Sequence, residues 1–162
     1  MARMSGAGGG GVTAWPPDAF ALCAVGLAGL LEWLAPLPLL PAAHLASPVG
    51  WCGAVLALAG LGLEVAAARA LGRAGTTTRP GEAPTALVTT GVFARSRNPF
   101  YCGWLMVLAG LFVAFSLDWG LVALPALWIV LDRVIIPREE AILSQRFAHD
   151  FAAYRRRVRR WL

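Results

Sequence analysis

The sequence predicts an all-α integral membrane protein: a bundle of four transmembrane helices, or five if the proline-broken first segment re-enters. Three observations predict it. Apolar residues make up 58% of the 162 and mean hydropathy is +0.64, far from the soluble norm. These residues fall into four runs approaching the roughly 20 residues that cross a bilayer as a helix. The charged residues, only 14% of the chain, lie mostly between and after the runs. There is room for one domain, residues 18–162, behind a flexible N-terminus at 1–17.

Each element follows in order. The opening MARMSGAGGGG is small and flexible, with nothing to pack. The first run covers residues 19–34. Arg3 precedes it as in a signal peptide, but its length and the PLPLLP turn after it favour a retained helix. The second run covers 49–71. A third, 99–117, begins with Asn98 as N-cap and Pro99 as first helical residue, and a fourth covers 119–131. Only SLDW separates the last two, which predicts a tight antiparallel hairpin. After Asp132, Pro137 can open a tail helix with Glu139 and Glu140 at the positive end of its dipole. Leu143, Phe147, Phe151, Tyr154 and Val158 then form one apolar stripe, as on an amphipathic helix at the membrane surface.

All fourteen basic residues are arginine. The loop at 36–48 has none, whereas Arg69, Arg73, Arg79, Arg95 and Arg97 fall in or beside the loop at 72–98, and eight more follow from Arg133. Positive charge retained on the inner side therefore predicts cytoplasmic N- and C-termini. The terminal RRRVRR reads as an anchor to anionic membrane lipids, about 1 kcal/mol per arginine, and no nucleic-acid partner is expected. Cys23, Cys52 and Cys102 lack any metal or disulfide spacing, so no metal is expected.

The loop at 72–98 is long for a simple link. Its TALVTTGVF stretch is apolar and β-branched, which predicts a cytoplasmic loop ordered over the bundle. At its end, Arg95, Arg97 and Asn98 meet the start of the third helix, where free N–H groups and two arginines could hold a carboxylate or phosphate. Tyr101 and Gly103 lie in the next turn. The plainer reading of the same residues is interfacial arginines, a cap and a packing glycine. Gly103 and Gly110, seven apart, could pack within the bundle or against another subunit, which leaves oligomeric state open. Glu32, Glu64 and Asp132 lie near the ends of apolar runs, where structural pairing is expected.

Taken together, LVTTGVF, SRNPFYCGW, a hydrophobic hairpin, IPREEAIL and FAAYRRRVRRWL occur in an order that resembles the isoprenylcysteine carboxyl methyltransferase and phospholipid methyltransferase superfamily, particularly its small bacterial members. The resemblance covers residues 74–162. It implies an integral membrane enzyme that uses S-adenosylmethionine, bound beneath the loop. By that resemblance Thr85, Ala86, Leu87, Val88 and Phe93 contact the cofactor, together with Asn98, Pro99, Tyr101 and Glu139. Phe93 stands where relatives often have tyrosine, and Asn98 where histidine is common. Arg97, Asn98, Tyr101 and Glu140 form the implied catalytic set. The arginine that contacts substrate in eukaryotic relatives falls on Ile135, so Arg133 or Arg138 would take that part.

Methyl transfer from a sulfonium is an in-line displacement that needs alignment and a dry site more than acid–base groups. A carboxylate acceptor is already ionised near neutral pH, which suits a prenylated, isoprenylcysteine-like substrate drawn from the bilayer. A phospholipid amine would first have to lose a proton, to Glu140, Asp132, His149 or Tyr154. Two other classes stand beside these. One is a four-helix exporter with Glu32 as cation site, against which the long arginine-containing loop argues. The other is a sterol reductase of similar architecture, for which no basic nicotinamide pocket is evident.

Overall fold

The computed structural model describes residues 17–40, 47–76 and 84–162. Nearly all of the expected flexible N-terminus, together with His44 and Arg79, falls outside the described residues. Among those described, regular structure is entirely helical: α1 (Pro17–Leu34), α2 (Pro48–Arg73), a 3-10 turn (Gly91–Ala94), α3 (Pro99–Ala114), α4 (Asp118–Val130), a π turn (Leu131–Ile135) and α5 (Ile136–Arg157).

The helix ends follow from local chemistry. Ser47 caps α2 by accepting from the Gly50 N–H at 3.0 Å, with Pro48 in the first turn. Gly75, at φ +64°, lets α2 finish with paired bonds, Gly75 N–H to Gly72 O at 3.1 Å and Thr76 N–H to Leu71 O at 3.2 Å. The expected hairpin between α3 and α4 is present, turning through Ser116 at φ +50°.

α3 is the central helix, with Cys102, Gly103, Trp104, Leu108, Gly110, Phe112 and Ala114 all buried. It meets α2 along a glycine seam. A Cβ on Gly60 would lie 2.5 Å from Gly103 O, and one on Gly53 would lie 2.6 Å from Gly110 O, so backbone touches backbone. Gly103 facing Gly60 and Gly110 facing Gly53 makes the pair antiparallel. Both α3 glycines thus pack within the bundle. On the other side, Gly120 of α4 lies against the Phe112 ring. α1 packs chiefly on α4 and brings Ala28 into one core with Trp104, Leu108, Phe112, Leu131 and Ile136.

At the arginine-poor end, Asp118 accepts from the Leu39 and Leu40 N–H groups at 2.8 and 3.3 Å. Glu32 accepts from Leu37 N–H at 3.1 Å and Trp119 N–H at 3.4 Å, and the Trp119 indole donates to Ala35 O at 2.7 Å. The residue that prompts the exporter reading is thus a clamp between α1 and α4. Outward-facing side chains are large and apolar, among them Leu22, Leu30, Trp33, Trp51, Leu58, Val122 and Ile129, a surface suited to hydrocarbon. Two helical runs are long and apolar enough to cross a membrane, Pro48–Arg73 and the continuous Asp118–Arg157; Leu22–Leu34 and Pro99–Ala114 are shorter apolar helices.

The tail differs from expectation. No free helix end precedes Glu139 and Glu140, because α4 runs on through the π turn into α5 as one path of 40 residues. Pro137 lacks an N–H and its ring would crowd the Arg133 carbonyl; the widened turn immediately before it accommodates both. The helix bends again at Phe147 (φ −123°, ψ 23°). Phe151 and Tyr154 of the apolar stripe are buried in protein, so that part of the stripe faces the molecule and not lipid. Val158 is extended and ends the helix, and residues 158–162 return across the start of α3.

Candidate functional site

The site forms where the loop, the start of α3, the first turns of α5 and the returning C-terminal strap meet. Gly91, at φ +64°, opens the 3-10 turn that carries Phe93 inward. The Tyr154 hydroxyl donates to Phe93 O at 2.6 Å, locking loop to α5. Burial pushes that hydroxyl up to about 12. Thr85 is tied to the end of α2, its N–H donating to Thr76 Oγ1 and its hydroxyl to Gly75 O, both at 3.0 Å. Ala86, Leu87 and Val88 follow, half-buried. Among the described residues no hydrogen bond joins Thr85–Val88 to the carboxylates of α5.

Ser96 is fully buried and organises the turn into α3. It accepts from the Asn98 N–H at 3.1 Å and donates to Arg160 O at 3.1 Å. Asn98 occupies the N-cap position but makes no capping bond; its amide donates to Arg160 O at 3.1 Å. The Arg97 N–H donates to Arg159 O at 2.8 Å, and its guanidinium to Val158 O at 2.7 Å. Donors that the sequence reading assigns to a bound anion thus hold the chain's own C-terminal carbonyls.

Two neighbouring carboxylates of α5 have contrasting surroundings. Glu140 is gripped by two arginines: Arg97 Nη2 reaches Oε1 and Arg160 Nη2 reaches Oε2, each at 2.8 Å. Burial pushes its carboxyl up, but bonds from Arg160 and Arg97 outweigh this and hold it below the usual range. Arg160 also reaches Asp132 Oδ1 at 3.0 Å, and the Trp161 indole donates to the same oxygen at 2.9 Å. Glu139 instead accepts from the Tyr101 hydroxyl at 2.7 Å. Burial pushes its carboxyl up, partly offset by that bond. One turn along α3 from Tyr101, the buried Trp104 Nε1 has no hydrogen-bond partner among the described residues.

Arg97, Asn98, Tyr101, Glu139 and Glu140 are thus brought together, with Pro99 buried beneath them. Arg133 is not among them; its side chain is 77% exposed and pairs with Asp132 at 3.2 Å. His149 is exposed beside Asp150. Sequence reasoning missed Ser96 and the inward role of Arg160 and Trp161. Arg160 is a correction, since within the expected lipid anchor it alone closes on two carboxylates, while Arg155, Arg156, Arg157 and Arg159 remain exposed. The signal was present: a valine interrupts the charge run and a tryptophan follows it, and Asp132 and Glu140 needed cations.

The family model described as phospholipid methyltransferase matches residues 49–150. No curated protein and no solved structure matches the chain.

Proposed function

The chain belongs to the phospholipid methyltransferase family, and from that premise we propose that this membrane methyltransferase uses S-adenosylmethionine to methylate the carboxylate of a lipophilic, isoprenylcysteine-like acceptor. The cofactor, when bound, supplies an electrophilic methyl group on sulfur. The residues present suit it: a half-buried carboxylate at Glu139 matches its ammonium group, and the buried Trp104 N–H, unpartnered among the described residues, offers a donor to its carboxylate. Tyr101 orients Glu139, and Thr85–Val88 with Phe93 border the adenosine end. Arg97, Asn98 and Glu140 support the wall on which these groups stand. The arginine-rich end faces the cytoplasm with both termini, in a bacterial inner membrane.

The observation that carries the choice of acceptor is the engagement of the candidate bases. Glu140 and Asp132 are ion-paired, Tyr154 donates to Phe93 O, and His149 is out on the surface. An amine would have to pass its proton to one of them. A carboxylate acceptor needs no base; it needs alignment and exclusion of water. The family's description favours the second reading, a phospholipid amine acceptor.

The test is methyl-label transfer in proteoliposomes offered S-farnesylcysteine or phosphatidylethanolamine. Label that mild alkali releases as methanol marks a carboxyl ester and supports the proposal. Alkali-stable label in the lipid headgroup transfers the assignment to the amine.

A further inference from the structure

Glu140 and Glu139 are consecutive on α5, so their side chains leave the helix about 100° apart. Which of them meets Tyr101 is therefore a question of rotation. The π turn at Leu131–Ile135, where the Ile136 N–H bonds back to Leu131 O, shifts the phase of α5 relative to α4. Contacts from outside the helix hold that phase. The contacts able to do so converge on one side chain. Arg160 donates from Nη2 to Glu140 Oε2 at 2.8 Å and from Nε to Oε1 at 3.4 Å. From Nη1 it reaches Asp132 Oδ1 at 3.0 Å and Asp132 O at 3.1 Å, so it spans the π turn itself. Its own carbonyl is fixed by Ser96 and Asn98, and the next residue, Trp161, packs on Trp128 at 5.9 Å between ring centroids.

We infer that Arg160 is a positioning residue for the cofactor site: by bridging Asp132 and Glu140 across the π turn it fixes the rotation of α5 that sets Glu139 against Tyr101. The inference rests on the methyltransferase reading for its purpose, though not for its geometry. It gives Glu140 a structural partner's part in place of an acid–base one, and it gives the strap a function beyond lipid attraction. An arginine suits the task because its planar fork serves two carboxylates at once, which a lysine's point charge cannot reproduce.

The experiment compares wild type with Arg160→Gln, Arg160→Lys and Asp132→Asn. Two readouts are taken at a temperature well below each variant's Tm. One is S-adenosylmethionine affinity by calorimetry. The other is the titration midpoint of Glu139 in the ligand-free protein, followed by carboxyl ¹³C NMR and assigned with Glu139→Gln. Arg160→Gln should bind roughly tenfold more weakly or worse, the loss of a charged hydrogen bond's worth of alignment. Its Glu139 midpoint should fall toward the ordinary glutamate value as the side chain becomes hydrated, with Arg160→Lys and Asp132→Asn intermediate. A lower Tm with both readouts unchanged overturns the inference and leaves Arg160 a stability contact. Should Arg160→Gln fail to fold, the same two readouts on Asp132→Asn decide. Should wild type take up no S-adenosylmethionine, the functional reading falls, and the Glu139 midpoint alone decides the positioning role.

Discussion

Glu139 and Glu140 are neighbours in sequence and opposites in environment. Glu139 is held above the ordinary glutamate range by burial, so acidification neutralises it early and removes its attraction for a cofactor ammonium. Glu140 is held below that range by its arginines. Its contribution to stability is present above the unfolded value of about 4.3 and is lost as pH falls through the lower folded value. On acidification, then, cofactor affinity should fall at a higher pH than Tm does. Calorimetry and thermal unfolding across one pH series check this, and coincident midpoints would contradict it. Tyr101→Phe should weaken S-adenosylmethionine binding by roughly tenfold and lower Tm modestly, because Glu139 loses its hydrogen-bond partner. The site was legible in sequence to the extent that its residues are local blocks. Arg97, Asn98, Tyr101 and the two glutamates could be named, but which carboxylate meets which partner depends on helix phase through a π turn, and no spacing rule shows that.

Among the elements, the α2–α3 pair depends on its glycines. Gly60→Ala would press a methyl group into Gly103 O and should cost about 1–3 kcal/mol. Gly62, two residues on, has nothing within 4 Å of its Cβ position, so Gly62→Ala should stabilise by about 0.5–1 kcal/mol. Thermal unfolding in detergent should therefore move Tm in opposite directions for two identical substitutions on one helix. Ser47→Ala should cost about 1 kcal/mol through loss of the α2 cap, read the same way. Helix positions were legible because apolar runs and punctuation mark them: the expected 49–71 became Pro48–Arg73 and 99–117 became Pro99–Ala114. The seam was half-legible, since Gly103 and Gly110 could be seen but their partners Gly53 and Gly60 lie in a helix that reads as uniformly small and apolar. The continuity of α4 into α5 was hidden by Pro137, which in sequence marks a helix start and here follows a turn widened to admit it.

At the scale of the whole molecule, alternation of direction was legible from the arginines, whereas the seating of α1 on α4 was not. That seating depends on Glu32 and Asp118 accepting backbone N–H groups across a turn, and a carboxylate's choice of amide leaves no periodic trace. If the outer surface faces lipid, brominated acyl chains should quench the fluorescence of a variant retaining only Trp33, which is 80% exposed, far more than one retaining only the buried Trp104. Equal quenching would reject that orientation. The strap carries a consequence for biosynthesis. Helices α1–α4 can enter the bilayer as they leave the ribosome, yet Asn98 receives its partner, and the Arg97–Glu140 pair its further bonds, only once residues 158–160 have been made. A nascent chain of this protein therefore lays down its helices first and ties the start of α3 to α5 last.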